Sequence, residues 1–216
     1  MTGSQLVNGL AGLLIITSFL VTSAKKPAAS AVHYAIQSIV LVLIFVALAE
    51  IKHSPELTIW AVTATITKVV LVPLIMYRVL RDLKDPDADQ PVIGMALTIL
   101  ASCALLVLSY FVVMNVKLPV VAHLKPALAV SMGHFFIGLL CIVTHNNILK
   151  QIFGYCLMEN GSHLSLALLA SEAPEVVEIG IATDAVFAVI VMVVLARIIH
   201  RRLNTLDARK LMSLKG

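Results

Sequence analysis

The sequence predicts an all-α integral membrane protein of seven transmembrane helices, with the N-terminus outside and the C-terminus cytoplasmic. Three observations predict it. Of 216 residues, 60% are hydrophobic and only 13% are charged, with a mean hydropathy of +0.99. A soluble domain of this size could not cover its surface with so few polar side chains. The apolar residues also fall into stretches of about 18–25, the length that crosses a hydrocarbon core of about 30 Å. Finally, the basic residues sort by side when seven spans are threaded alternately. Lys25, Lys26, Arg78, Arg81, Lys84, Lys150, Arg197, Arg201, Arg202, Arg209, Lys210 and Lys215 fall on one side, against Lys52, Lys117 and Lys125 on the other. The positive-inside rule makes the richer side cytoplasmic.

The spans follow in order. The first, 4–23, carries its positive charges after the apolar core, so a retained helix is expected here and not a signal peptide. The second covers 29–49. The third, 56–80, opens on Pro-Glu and contains Pro73, which cannot donate to the carbonyl of Val69 and so loosens the helix beside Lys68. The longest loop, Arg81 to Pro91, is a solvated mixed-charge turn. The fourth span is 92–115, the fifth 125–144, the sixth 147–170, and the seventh, 175–199, runs into a basic tail. Glu172 and Glu175 fall in the outer loop. With no linker or low-complexity region, 1–216 is expected to form one bundle. A faint repeat divides it: PELTIWAVTATITKVVLVPLIMYRVLRDL and PEVVEIGIATDAVFAVIVMVVLARIIHRRL share a Pro-Glu opening, a small-polar centre and a basic end. The expected units are 1–84 and 125–203, joined by 92–115.

The functional signal is a set of ionisable residues near the middle of apolar stretches: Lys68, Glu159, Asp184 and His134. Three full charges facing lipid would oppose insertion by about 8–10 kcal/mol. A protein interior or a water cavity must offset this. At a rise of 1.5 Å per residue, Lys68 and Glu159 lie roughly 18 Å from the cytoplasmic end of their spans, Asp184 roughly 22 Å and His134 roughly 15 Å. Lys68 is too deep to snorkel comfortably. Tyr155, Glu159 and His163 are spaced i, i+4, i+8 with Ser162 alongside, a polar stripe on an apolar helix. Glu178 lies about nine Å nearer the outer face than Asp184. Glu159, Asp184, Lys68, His134, His163 and Glu178 are therefore the candidate proton-transfer residues, since carboxylates and histidines can hold or release protons under working conditions. A packed hydrogen-bond network is the structural alternative for the stripe, and a satisfied core histidine for His134. His33, His53, His123, His145 and His200 lie near ends or loops, where no special role is expected.

Gly154 and Gly161, seven apart, are expected to permit close helix approach. Cys103, Cys141 and Cys156 lack zinc or disulfide spacing and read as small apolar fillers. The sequence contains no Walker loop, no GxGxxG, no metal-spaced His/Cys cluster and no nucleophile triad. This chain is therefore expected to be non-catalytic and to bind no metal or cofactor. The net charge of +4 sits at helix ends, which points to the bilayer and away from nucleic acid.

From His134 onward, HNNILKQIFGYCLMENGSHL and EIGIATDAVFAVIVMVVLARIIHRRL resemble the three-helix K subunit of respiratory complex I. That family places one buried carboxylate on its second helix and another on its third, as Glu159 and Asp184 are placed here. Anchored on Asn-Ile-Leu, the family glutamate would fall at Cys156, with Glu159 one turn later; Asp184 is likewise displaced by about one turn. Across the whole chain, ITKVVLVPLIM, LKPALAV, QIFGYCLMENGSHL and EIGIATDA resemble component E of hydrogenase-4, the formate hydrogenlyase-2 type of membrane-bound [NiFe] hydrogenase. This resemblance implies a subunit of a bacterial inner-membrane complex. Antiporter-like membrane subunits would flank it, and the [NiFe] and iron–sulfur centres would sit in peripheral hydrogenase subunits. The expected function is a contribution to a midplane proton path. The alternatives are a stand-alone secondary transporter and a structural spacer between antiporter-like subunits.

Overall fold

Seven long helices account for nearly all of the residues that the computed structural model describes, 3–83 and 91–213. They are α1 (Gly3–Ser23), α2 (Pro27–Lys52), α3 (Pro55–Asp82), α4 (Met95–Asn115), α5 (Lys125–Thr144), α6 (Ile148–Leu169) and α7 (Glu175–Leu203). Their starts follow from local chemistry. Pro27, Pro55 and Pro126 occupy first turns, where a missing N–H costs nothing. Ser54 and Asn147 cap α3 and α6 by accepting backbone N–H groups with their side chains. Lys84, Lys215 and the 84–90 part of the predicted loop lie outside the described residues.

Helix limits shift by up to four residues from the sequence expectation, most at the end of α2, which runs on to Lys52, the start of α4 and the end of α7. The fourth helix begins at Met95 and not at 92, because Gly94, at φ +78°, closes a turn in which its N–H donates to Pro91 O at 2.8 Å. Glu175 is the first residue of α7 and not part of the loop, and α7 continues to Leu203, where left-handed Asn204 stops it.

Six of the seven helices are long and apolar enough to cross a membrane; α6 is not. Lys150, Gln151, Glu159, Asn160 and His163 interrupt its hydrophobicity, so the expectation of seven uniformly apolar stretches is corrected at this helix. The bundle encloses α6 among α2, α5 and α7, with α1 at one end. Most of its length is buried, Lys150, Asn160 and His163 included. At the other extreme, α4 buries little beyond Thr98, Ser102, Ser109 and Val113 and packs chiefly on α5.

The α5–α6 contact is backbone to backbone. A Cβ added at Gly138 would lie 2.6 Å from Gly154 O, one at Gly154 2.9 Å from Gly138 O, and one at Gly161 2.8 Å from Ser131 O. Small residues at membrane helix contacts permit this approach. It is the close packing that Gly154 and Gly161 led us to expect, with Gly138 as the partner on α5.

Two apolar clusters fill the bundle, one around Leu14, Leu41, Phe45, Trp60 and Leu164, the other around Tyr34, Met76, Phe153, Leu157 and Val193. Along each inner helix a buried polar residue stands between them: Ser18 on α1, Gln37 and Ser38 on α2, Lys68 on α3 and Asn160 on α6. The core is thus two greasy halves separated by a polar layer.

Lys150, expected only as a basic residue beside a turn, is 1% exposed. Its Nζ donates to Val21 O (2.8 Å), Thr22 O (3.1 Å) and Ser30 Oγ (2.8 Å). A cation there satisfies the last carbonyls of α1 and complements its dipole. The tail is pinned to the α5–α6 turn through Ile148 N to Leu206 O (3.0 Å) and Ala208 N to Asn146 O (2.8 Å). Within this region burial, reinforced by the Lys150 charge, pushes the His145 imidazole down to about 4. Hydrogen bonds from Arg209 hold the Asp207 carboxyl below its ordinary range.

Gly138→Ala therefore drives a methyl into the α6 backbone, and overpacking of this kind removes about 1–3 kcal/mol of stability. Gly180→Ala, whose added Cβ meets nothing within 4 Å, is expected to be near neutral. Thermal unfolding of the two variants in detergent checks the contrast.

Candidate functional site

The site begins with a widened turn. In the middle of α3, Thr65–Leu71 is a π-helix, and the N–H of Val72 donates to Thr67 O, five residues back. Pro73 has no N–H, and its ring would crowd the carbonyl of Val69; a wider turn relieves both problems. Lys68 lies at the centre of this segment and points inward, 1% exposed.

Its ammonium pairs with Glu159 Oε2 and donates to Asn160 Oδ1 at 2.9 Å. Glu159 and Asn160 are consecutive on α6, so one lysine ties α3 to the most enclosed helix. The Tyr34 hydroxyl faces Ser38, Asn160, Cys156 and Glu159 from the side of α2. One turn along α6, His163 Nε2 meets Glu178 Oε2 of α7 at 2.5 Å, both side chains fully buried. The His163 ring is walled by Phe45 (centroids 4.8 Å apart) and Trp60 (5.4 Å). The two are hydrogen-bonded at this separation, with the proton on Nε2 or on the carboxyl according to the imidazole tautomer.

His134 takes part in a separate, well-formed contact. Its Nδ1 is 2.5 Å from Ser18 Oγ and its Nε2 is 2.7 Å from Gln37 Nε2. The Ser18 hydroxyl donates its one hydrogen to Leu14 O at 2.5 Å, so Ser18 accepts from Nδ1–H. Nε2 then accepts from the Gln37 amide, and the ring is a satisfied neutral imidazole. The structure brings His134 into the polar layer but into no hydrogen bond with Lys68 or Glu159.

Asp184 is exposed. It borders a lateral groove of about 430 Å³ between α6 and α7, shared with Tyr155, Met158, Glu159, Ser162 and His163. The predicted stripe thus lines one wall of this groove and Asp184 faces it from the other. Among the described residues, no hydrogen bond or ion pair reaches the Asp184 carboxylate. The Lys68 charge lies within electrostatic reach of His134, His163 and Glu178, which makes it the centre of one connected field.

Sequence reasoning missed Ser18, Tyr34, Gln37, Ser38, Trp60 and Asn160. A signal existed for two pairs: Gln37-Ser38 interrupts the second apolar stretch, and Asn160 follows Glu159 directly.

Comparisons with known proteins place the chain in a family. The sequence profile of NADH-ubiquinone/plastoquinone oxidoreductase chain 4L matches residues 126–216, which hold α6, α7, the tail and nearly all of α5. Hydrogenase-4 component E of Escherichia coli (strain K12) is 56% identical over 216 residues, covering 100% of both chains. The chain belongs to the hydrogenase-4 component E family. The proteins of that name from Escherichia coli O157:H7 and Shigella flexneri match to the same extent. No solved structure gives a significant match. Family membership and the apolar helices together make this a multi-pass membrane subunit of a hydrogenase complex, working with other subunits. Among the described residues no group of three or more His, Cys, Asp or Glu is placed to hold a metal ion.

The Lys68–Glu159 pair gives a direct energetic expectation. Lys68→Met alone leaves Glu159 uncompensated and removes about 3–5 kcal/mol of stability. Lys68→Met combined with Glu159→Gln restores most of it, because the buried charge is gone. A double-mutant cycle of detergent unfolding measures the coupling.

Proposed function

We propose that this chain contributes a proton-conducting element to the membrane arm of a hydrogenase complex, with the Lys68–Glu159 pair as its centre. The carrying observation is that this pair is buried on the lysine side and reaches the lateral groove on the glutamate side, where Asp184 stands. The seven helices span a bacterial inner membrane with the N-terminus outside and the C-terminus cytoplasmic, as the basic ends of α1, α3 and α7 favour. The 125–203 unit carries Glu159, His163, Glu178 and Asp184, and the 1–84 unit supplies Lys68. Antiporter-like membrane subunits flank the chain, and peripheral subunits carry the [NiFe] and iron–sulfur centres.

In this reading Glu159 and Asp184 are carboxylate stations at the groove, and His163 with Glu178 forms an inner, hydrogen-bonded station. A proton arriving on Glu159 neutralises it and releases Lys68. The freed ammonium then favours the carboxylate form of Glu178, so the proton passes to His163 Nε2 and the imidazolium gives up its Nδ1 proton to internal water at that otherwise unpartnered nitrogen. The π turn beneath Lys68 supplies the slack for its movement. His134, held through Gln37 to the same layer, lies at the far end of the field.

Polar continuity supports the reading. Glu159 Oε1, Trp60 Nε1, His163 Nδ1 and Glu178 Oε1 are buried without a protein partner among the described residues. Buried polar atoms are almost always hydrogen-bonded, and internal water is their usual partner when protein is not. Here such atoms gather in one layer that joins the two pairs.

Glu159→Gln is expected to lower proton movement into inverted membrane vesicles by at least about tenfold, roughly 1.4 kcal/mol on a barrier. Hydrogen evolution from an artificial electron carrier should stay near wild type. Unimpaired proton movement in this variant, with a fully assembled complex, overturns the proposal. Neutralising Lys68, Glu159 and Asp184 together tests the spacer reading, which requires coupling to survive whenever the complex assembles.

A further inference from the structure

We infer that the groove between α6 and α7 is the seat of a transmembrane helix from another subunit, and that this helix sets a lysine or arginine against Asp184. The inference rests on the chain being one member of a membrane complex and is independent of whether protons move through it.

The argument begins with an uncompensated charge. Asp184 lies nine residues into α7, roughly 14 Å along the helix axis from its start. Its single-carbon stem cannot carry the carboxylate to the interface, as a long basic side chain could. Lys68 is already committed to Glu159 and Asn160, so the one buried cation of this layer cannot serve Asp184 as well. The groove therefore presents an unpaired negative charge to whatever fills it.

Three occupants can be weighed on that chemistry. A lipid acyl chain brings neither donor nor charge. A second copy of this chain, related by a two-fold axis, sets carboxylate against carboxylate. A helix carrying one basic side chain meets every requirement, because burial favours an ion pair only when its partner is at hand. The shape agrees. Ile181 shares the groove with Asp184, while Ile179 and Phe187, 56% and 64% exposed, line the other side of α7. A second groove, of about 380 Å³, runs along the other side of α7 against α3. The outer face of α7 is thus an apolar ridge between two furrows with one carboxylate beside it, a form suited to helix packing.

The test uses the intact complex in its native membrane. A benzophenone amino acid in place of Ile181, which lines the α6–α7 groove beside Asp184, should crosslink, on illumination, to a transmembrane segment of a different subunit with a Lys or Arg within about one helical turn of the crosslinked residue. Asp184→Lys should strip that subunit from the purified complex at least tenfold, and changing the identified basic residue to Asp should restore it. A crosslink only to lipid, only to a second copy, or to a segment without a basic residue overturns the inference. So does an Asp184→Lys complex that keeps its full complement of subunits. If the Asp184→Lys chain fails to insert, the Ile181 crosslink, made with Asp184 intact, decides alone. Failure of the proton reading is separate: Glu159→Gln would go on moving protons while this crosslink still forms.

Discussion

A lysine and a glutamate facing each other between two helices, far from either water layer, set the terms for this bundle. In a low-dielectric interior neither charge is tolerable alone, and together they persist only if geometry and further hydrogen bonds are good. Asn160 supplies one such bond, and the polar layer of Ser18, Gln37, Ser38 and Tyr34 surrounds it. The rest of the architecture follows from keeping that pair in place. Most of α6 is walled in because it carries Glu159 and Asn160. The α5–α6 glycines bring the shielding helix into backbone contact. The π turn of α3 gives Lys68 its position where a regular helix with Pro73 would be strained.

The second pair is built differently. His163 and Glu178 are hydrogen-bonded to each other and sealed against Phe45 and Trp60. One pair is ionic and reaches a groove; the other is enclosed. In the proposed function, groups with such unlike surroundings let a charge change at one pair displace a proton at the other. His134 offers a contrast, since each of its ring nitrogens already has a matched partner.

Much of this was legible in the residues themselves. Helix limits followed from proline, capping residues and apolar length, and the stripe Tyr155–Glu159–His163 does line one surface because helical periodicity is local. What could not be read was pairing between helices. Nothing in the vicinity of Lys68 names Glu159, and nothing near His163 names Glu178, since those contacts depend on how α3 and α7 lie against α6. Lys150 misled for a related reason. A basic residue beside a turn is ordinarily solvated, yet the end of α1 happens to present three acceptors to it. The groove beside Asp184 was equally invisible, because depth along a helix axis says nothing about which way a side chain faces.

The low hydropathy of α6 bears on how the protein is made. A segment with Lys150, Glu159, Asn160 and His163 partitions poorly into lipid as an isolated rod. It is joined to α5 by a turn of three residues, His145 to Asn147, and the two share a glycine-lined seam. The natural unit of insertion is therefore the α5–α6 hairpin, entering the bilayer as one object with its polar edge turned toward helices already there. Biogenesis of this subunit is then ordered along the chain: α1 to α3 must be waiting, with Lys68 in position, when the hairpin arrives.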